Sequence, residues 1–403
     1  MLYITSHRQG AILNHSHGVE SPQGLEVEIE GISVQGTPVL VNGIPAAMDG
    51  QRFTAKALLR EKVNRIVAST RTRTGTFTQE QVLLWDRGSF PRTGFYLDDH
   101  VMVFEDLASE RPTHAFDHFY LGFLKSLHEK YGFKVTLNCF FENPDATFNL
   151  TMMPGCWRSE FEDNSDWLRF SFHARAEFPD RPYAEASDAE FARDWDLVQG
   201  EILRFAGERS YIPPVVIHWA NIHPACAAEC LRRGVNSYFN SFRLRVMGGP
   251  SLVERQRGHR ESQDASSAEA AHTPVATDAF ALHYNFADEQ SWLENHISYY
   301  DPELKVIFFR NGACCNLVPL QDVRPRLERM LDVARKAGAE AFSVASHEQY
   351  SFPRYPNYQK DHLQRIETAV ETMVSHGCRP VFLNEGILGN TSWQGWQSGI
   401  QNL

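Results

Sequence analysis

The stretch Phe95-Tyr-Leu-Asp-Asp-His100-Val-Met-Val-Phe104 decides how this chain is interpreted. Asp98, Asp99 and His100 follow an aromatic run at the point where a strand is expected to end. Because successive strand residues point to opposite faces, the two carboxylates can have separate tasks, one holding a metal ion and its neighbour handling a proton. The alternative interpretation is a solvated turn at the end of a strand, since Asp is common in turns.

Composition limits the class of protein. A chain of 403 residues with 42% hydrophobic residues can bury more than one core, and its length favours two or three domains. The formal charge of -11, without a run of Lys and Arg, argues against nucleic acid and against an anionic membrane surface as partners. The first residues have no apolar signal segment, no stretch is long enough for a membrane span, and the cysteines show no disulfide framework. We therefore expect a cytoplasmic protein with reduced thiols.

Residues 1–93 show the alternation of short antiparallel strands. Leu25 to Glu30 alternates between apolar and charged residues, and Asn42-Gly43 and Asp49-Gly50 are typical of hairpin turns. This pattern predicts a small all-β sandwich. The stretch 39–70 resembles the bacterial Ig-like accessory domains of carbohydrate-active enzymes, which implies an Ig-like fold for this first domain.

From residue 94 onward, apolar strands alternate with amphipathic helical stretches. The predicted strands cover 96–104, 135–141, 167–173, 214–219, 236–240, 304–310, 341–346 and 380–384, and the predicted helices cover 116–131, 188–206, 224–233, 323–337 and 361–376. Seven or eight such units predict an α/β fold, a distorted (β/α) barrel over residues 94–403. The polar segment 255–278 predicts a mobile insertion, either a lid or a plain solvent loop.

Polar side chains recur where the predicted strands end. They are Asp98, Asp99, Asn138, His173, His218, Asn240, Arg310, His347, Glu348 and Glu385. The carboxyl ends of barrel strands meet at one face, so we expect these groups to form a site, although a single histidine at a strand end can simply cap backbone groups. Histidines together with one Asp suit zinc or another borderline divalent ion that keeps a position for water.

Proton transfer needs a base and an acid near that water. Asp98 or Glu385 can act as the base, with His347 as the acid. The pair of Asp98 and Glu385 would equally serve a glycosidase or lyase, in which two carboxylates flank the bond that is broken. Sequence does not measure their separation, so both interpretations stay open.

Aromatic and polar side chains near these positions suit sugar rings, which present apolar faces and hydroxyl edges. We expect a carbohydrate substrate. The predicted substrate contacts are Trp219, Arg310, Glu348, Tyr350 and Tyr355.

Residues 93–390 resemble the polysaccharide deacetylase (NodB-like) superfamily. The resemblance rests on Leu97-Asp98-Asp99 and on Ser171-Phe172-His173. It implies a distorted (β/α) barrel that removes an acyl group from an amino sugar or a related amide. It also implies that the first Asp of the pair is the base and that the second, with histidines, binds the metal.

The chain departs from that family at one ligand. The family has a second histidine four residues after the first, and this position is Glu177 here. The third ligand beside Asp99 and His173 is therefore His218, Glu177 or neither, and we expect His218, with Glu177 as the alternative. His347 remains the expected acid.

These observations lead to a first hypothesis and two alternatives. The first is a metal-dependent carbohydrate-active hydrolase that carries a divalent ion, with zinc favoured. The second is a glycosidase or lyase on the same barrel, and the third is a glycan-binding protein without activity. Neither nucleic acid nor membrane is expected as a partner, and a homo-oligomer is compatible with an appended sandwich.

Overall fold

The computed structural model describes residues 2–239, 292–293 and 296–386. The predicted insertion 255–278 and Asn240 lie outside the described residues. The strands, numbered along the chain, are β1 (Tyr3–Ile4), β2 (Ile12–Leu13), β3 (Gly18–Ser21), β4 (Gly24–Ile32), β5 (Val39–Val41), β6 (Ile44–Pro45), β7 (Ala47–Asp49), β8 (Arg52–Leu59), β9 (Val63–Thr72), β10 (Gly75–Trp85), β11 (Arg92–His100), β12 (Val135–Phe140), β13 (Leu168–Ala174), β14 (Ser237–Phe239), β15 (Ser298–Asp301), β16 (Val306–Phe309), β17 (Ala313–Cys314), β18 (Ala341–His347) and β19 (Arg379–Val381).

The helices lie in the second part of the chain. They are α1 (Met102–Glu110), α2 (Phe119–Tyr131), α3 (Arg158–Asp163), α4 (Asp188–Phe205), α5 (Pro224–Arg232), α6 (Leu320–Lys336), α7 (His362–Ser375) and α8 (Leu383–Gly386). The five predicted helices correspond to α2, α4, α5, α6 and α7 to within a single helical turn at each end. None of the helices in the described ranges is long and apolar enough to cross a bilayer.

The strands up to Trp85 form two five-stranded sheets. One has the order β1-β4-β8-β7 with β3 beside β4, and the other has the order β2-β10-β9-β5-β6. Apolar side chains from both sheets, such as Ile29 and Ile66, belong to one buried cluster. The turn between β5 and β6 has positive φ at both Asn42 and Gly43, as an Asn-Gly hairpin turn requires.

A parallel sheet positions the candidate site. Its order is β13-β12-β11-β18-β17, and β19 also pairs with β11. Every residue of β11 is buried, as expected for a strand in the middle of a sheet that is covered on both faces. The strands β14-β16-β15 form a separate sheet, so the described part of the chain is a mixed α/β fold in which no ring of strands closes.

The predicted strand at 214–219 is wrong. Pro213 and Pro214 have no N–H group to donate to a ladder, which disfavours a strand in the middle of a sheet. The chain instead forms a 3₁₀ turn at His218–Ala220, where Trp219 has a φ of +63°. This turn, and not a strand end, presents His218.

Helix α6 shows why the helical predictions were accurate. Its buried residues, Val323, Leu327, Leu331 and Ala334, follow the spacing of one helix face, and the remaining positions are mostly charged. A second helix, α7, packs beside it.

His362 joins the end of β18 to the start of α7. The Oγ atoms of Ser346 and Ser351 each lie 2.7 Å from one of its ring nitrogens. Burial, assisted by the charge of His347, lowers the pKa of His362 to about 3. The ring is therefore neutral in the folded protein at neutral pH.

This burial predicts a pH dependence of stability. The folded-state pKa of His362 lies below the unfolded value of about 6.5, so its contribution is present above that pH and is lost as the pH falls. In wild type, this histidine should lower the free energy of unfolding by up to about 1.4 kcal/mol for each unit that the pH falls from about 6.5 to about 4.5. We expect His362→Gln to lack this part of the pH dependence. Urea unfolding at several pH values, with chelator present, measures this slope.

The control for this measurement is His15→Gln, which changes an exposed histidine. An equal pH slope in wild type and His362→Gln would contradict the prediction.

Candidate metal centre

Two irregularities in the parallel sheet shape the site. The register of β11 against β12 shifts at Asp98 and Asp99, and Asp99 has a φ of +66°. The register of β12 against β13 shifts opposite His173. Such bulges re-aim side chains and are common beside functional sites. Both carboxylates therefore approach the ring of His173, instead of pointing to opposite faces as a regular strand would require.

Three buried ligand atoms form a small triangle. Asp99 Oδ1 lies 3.1 Å from His173 Nε2 and 3.3 Å from His218 Nδ1. The two ring nitrogens are 3.2 Å apart. These three residues are the one group of candidate ligands that the described part of the chain brings together, and the group could hold a metal ion.

The triangle fits a divalent ion in two respects. Tetrahedral zinc with bonds of about 2.0–2.1 Å places its ligands about 3.3 Å apart, close to the three observed distances. Asp99 Oδ1 is buried and has no donor in hydrogen-bonding geometry, although two ring nitrogens lie near it. An unsatisfied buried carboxylate oxygen is costly, and a cation would satisfy it.

The orientation of His218 also fits a ligand. Its Nε2 lies 3.1 Å from the backbone carbonyl of Glu177 and can donate to it. In the neutral ring, this leaves Nδ1 without a proton and directed at Asp99. Metal-binding histidines usually donate their second ring nitrogen in this way, which sets the ring orientation.

The protonation states of Asp99 and His173 suit metal binding. Burial favours the neutral form of Asp99, but the neighbouring histidines, His347 foremost, hold its pKa well below the usual range. Burial lowers the pKa of His173 to about 4 against the effect of Asp99. Burial would also lower the pKa of His218, but the contact with Asp99 outweighs it and raises that pKa. The ionised Asp99 and the neutral His173 are in the states that bind a metal, whereas a protonated His218 would have to release a proton when a metal binds.

Asp98 lies near the second ring nitrogen of His173. Its Oδ1 accepts a hydrogen bond of 2.7 Å from Asn138 Nδ2 and lies 4.0 Å from His173 Nδ1. Burial and the charge of Asp99 raise the pKa of Asp98 well above its usual range. Asp98 can therefore hold a proton at a pH at which an exposed Asp would have lost it.

His347 approaches the triangle from β18, where it pairs in register with Asp98. Its Nε2 lies 4.0 Å from Asp99 Oδ2, and its Nδ1 lies 2.9 Å from Asn316 Oδ1. An amide oxygen can only accept, so Nδ1 carries a proton and Nε2 is the atom that gains or releases one. The side chain is 24% exposed, so His347 is partly open to solvent.

The sequence analysis missed two residues. Gln349 donates a hydrogen bond of 2.7 Å to Asp99 Oδ2, and Asn316 orients His347. Gln349 follows the strand that ends in His347, and that position could have identified it. Asn316 lies in a short 3₁₀ turn after β17, where we find no sequence signal for its role.

Glu177 does not belong to the group of ligand atoms. Its backbone carbonyl contacts His218, while its half-buried carboxylate lies close enough to respond to the site. Burial and the charge of Asp99 raise the pKa of Glu177 to about 7, and His218 opposes them. The structure therefore favours His218 over Glu177 as the third ligand.

The prediction that Glu348 binds substrate needs correction. The side chain is fully buried, and its carboxylate accepts hydrogen bonds of 2.8 Å from the backbone N–H groups of Val101, Met102 and Val103. The first turn of a helix leaves such groups without partners inside the helix. Glu348 therefore caps α1 from a distant part of the chain.

Glu385 also lies away from the triangle. It is on α8, 3.7 Å from Arg169, which stands near the start of β13, whereas His173 stands near its end. Glu385 and His173 are thus at opposite ends of the strands. Asp98, which lies beside His173, therefore does not form the carboxylate pair of a glycosidase with Glu385. Arg310 lies near Arg326. Burial and the charge of Arg310 lower the pKa of Arg326. Within the described ranges we find no contact between Arg310 and the site.

Aromatic side chains lie around the triangle. The rings of Tyr350 and Tyr355 are 5.3 Å apart, and Tyr350 is 6.2 Å from the ring of His347. The half-buried Trp219 lies 6.0 Å from His218, with the guanidinium of Arg181 over its ring. These contacts place three of the predicted substrate residues beside the site.

His100 has a different role from its two neighbours in sequence. It is fully buried, and its Nε2 lies 3.1 Å from the hydroxyl group of Tyr120. Burial lowers the pKa of His100 to about 3. We interpret it as a neutral core histidine.

Comparisons with known proteins do not place the chain in a family. A scan against family models finds no match, and a search of curated proteins finds none. Among solved structures, an engineered protein whose crystal structure was determined at 1.98 Å is similar at 18% identity over 21% of this chain and 20% of that chain, with a TM-score of 0.16. A similarity this slight carries no argument about fold or function.

The cap by Glu348 predicts a stability effect. We expect Glu348→Gln to lower the free energy of unfolding by about 1 to 3 kcal/mol, because one of the buried N–H groups would face an amide donor instead of an acceptor. Urea unfolding monitored by circular dichroism measures this loss. Glu110→Gln, at an exposed position on the same helix, is the control, and equal stability of the two variants would refute the cap.

Proposed function

We propose that the protein is a metal-dependent hydrolase that removes an acyl group from an amino sugar or a related amide of a glycan. The observation that carries the proposal is the buried triangle of Asp99, His173 and His218. Two candidates for proton transfer lie beside the triangle: Asp98 is 4.0 Å from His173 Nδ1, and His347 is 4.0 Å from Asp99 Oδ2. A site that binds a cation and also holds proton donors and acceptors suits hydrolysis.

The proposal includes a finer description of the fold. Residues 94–403 would be a distorted (β/α) barrel of the deacetylase type, and residues 1–93 an Ig-like sandwich. The support for the first is a parallel sheet with the candidate site at the carboxyl ends of its strands. The support for the second is a pair of antiparallel-rich sheets with a shared apolar cluster.

The metal would be held by one carboxylate and two imidazoles. This set of ligands suits zinc or another borderline divalent ion. When bound, such an ion lowers the pKa of water toward neutrality and polarises a carbonyl oxygen. Asp99, His173 and His218 would hold it, and the remaining residues would handle protons and substrate.

Asp98 and His347 would divide the proton transfers. Asp98, buried beside Asn138, accepts the proton of the attacking water at its carboxylate. His347, with Nδ1 held by Asn316, releases a proton from Nε2 to the leaving amine. General acid–base catalysis of this kind needs two groups within reach of one reacting centre but with different environments.

The surroundings favour an amino sugar. Tyr350, Tyr355 and Trp219 offer aromatic faces to the apolar side of a sugar ring. Asp98, Asp99 and the nearby Glu177 make the site rich in carboxylates, and an amine product is a cation. A carboxylate-rich site attracts this cation and repels an anionic sugar, so electrostatics favour an amino sugar over an acidic sugar.

Metal analysis and an activity assay test the proposal together. We expect about one equivalent of zinc or a similar ion per chain, and release of acetate from N-acetylated oligosaccharides that stops in chelator and returns with added metal. Asp99→Asn and His218→Ala should lose the metal. Asp98→Asn and His347→Gln should keep it and lower kcat by about 100-fold to 10,000-fold.

Asp145→Asn and His15→Gln, at exposed positions, are the matched controls and should keep both metal and activity. Full activity in chelator would exclude metal catalysis. Glycan binding without turnover, and unaffected by Asp98→Asn, would instead identify a binding protein.

A further inference from the structure

Gln349 is the direct neighbour of the candidate metal ligand Asp99. It lies in the 3₁₀ turn Glu348–Ser351 that follows β18, and only 5% of its surface is exposed. Its Nε2 donates a hydrogen bond of 2.7 Å to Asp99 Oδ2. The reverse orientation of the amide would set its carbonyl oxygen against a carboxylate oxygen, so the contact itself decides which atom faces Asp99.

We infer that Gln349 is the positioning residue of Asp99: it binds Oδ2 and thereby makes Asp99 a ligand through Oδ1 alone. The inference rests on the proposed metal site. The two oxygens of Asp99 have different surroundings. Oδ2 has the amide donor, whereas Oδ1 has no hydrogen-bond donor and belongs to the triangle of ligand atoms.

Binding through one oxygen affects which ion the site prefers. A carboxylate that is free to rotate can place both oxygens on a metal, which large oxygen-seeking ions accept. Zinc takes few ligands at short distances. By holding Oδ2, Gln349 keeps the coordination number low and therefore favours a small ion with mixed nitrogen and oxygen ligands.

The turn around Gln349 is anchored on both sides. Glu348 accepts three backbone hydrogen bonds from the start of α1, and Ser351 contacts the buried ring of His362 at 2.7 Å. These contacts limit the movement of the backbone that carries Gln349. Ligands that are held by a second layer of hydrogen bonds lose affinity for their metal when that layer is removed.

A neutral amide suits this role better than a charged group. A carboxylate at position 349 would repel the ionised Asp99, and an ammonium group would compete with the metal for it. The amide of Gln349 donates one hydrogen bond without changing the charge of the site.

Metal affinity tests the inference directly. We expect Gln349→Leu to bind Zn²⁺ about 10-fold to 100-fold more weakly than wild type, measured by competition with a fluorescent chelator. The affinity for Mn²⁺, which tolerates a carboxylate that binds through both oxygens, should fall less. Gln349→Met, with a similar length and no donor, is the second variant should the leucine variant not fold.

Gln359→Leu is the matched control. Gln359 also donates one hydrogen bond through Nε2, at 2.9 Å to the carbonyl of Asn316, and also has a buried Oε1 without a hydrogen-bond partner. Its replacement should leave Zn²⁺ affinity unchanged.

Three results would overturn the role of Gln349. They are an unchanged Zn²⁺ affinity in Gln349→Leu and Gln349→Met, an equal loss in Gln359→Leu, and equal losses for Zn²⁺ and Mn²⁺. A wild-type protein that binds no metal would refute the proposed function and this inference together. If the wild type binds zinc, any of the three results would refute the inference alone.

Discussion

The buried charge of Asp99 is the constraint on which the rest of the site depends. A carboxylate that is only 4% exposed is unfavourable unless opposite charge or hydrogen-bond donors surround it. Gln349 supplies a donor to Oδ2, while Oδ1 lies beside the ring nitrogens of His173 and His218 without a hydrogen bond, where a cation would satisfy it. The positive φ of Asp99 adds a local cost of the order of 1 kcal/mol, which a strand in the middle of a sheet can absorb.

The residues that stabilise the fold also position the site. Glu348 caps α1 and thereby holds the turn that carries Gln349. His362 links the end of β18 to α7, so that His347 stands on a fixed part of the chain. Because these anchors are buried, the site is connected to the packing of the helices around the sheet. Buried supports of this kind keep the geometry of a binding or catalytic site rigid.

The predictions for Glu385 and Glu348 were wrong for a common reason. The sequence analysis treated every polar residue after an apolar run as part of one face. β19 pairs only with the first residues of β11, and the chain then turns into α8, where Leu383 packs closely over Gly94. Glu385 therefore stays at the amino ends of the strands. Glu348 follows the carboxyl end of β18, as predicted, but its side chain points to the start of α1. The N–H groups there have no partners inside the helix and attract a carboxylate.

The sequence by itself determined the hairpin strands of the first part, the positions of the five main helices, and the choice of Asp99, His173 and His218 as candidate ligands. Periodicity and turn residues are local properties, so they can be identified without coordinates. Only the tertiary structure decided which polar groups meet. The bulges at Asp99 and His173, the turn that presents His218, and the contact of Gln349 with Asp99 all depend on strands and turns that are distant in sequence, and no local pattern encodes the register between them.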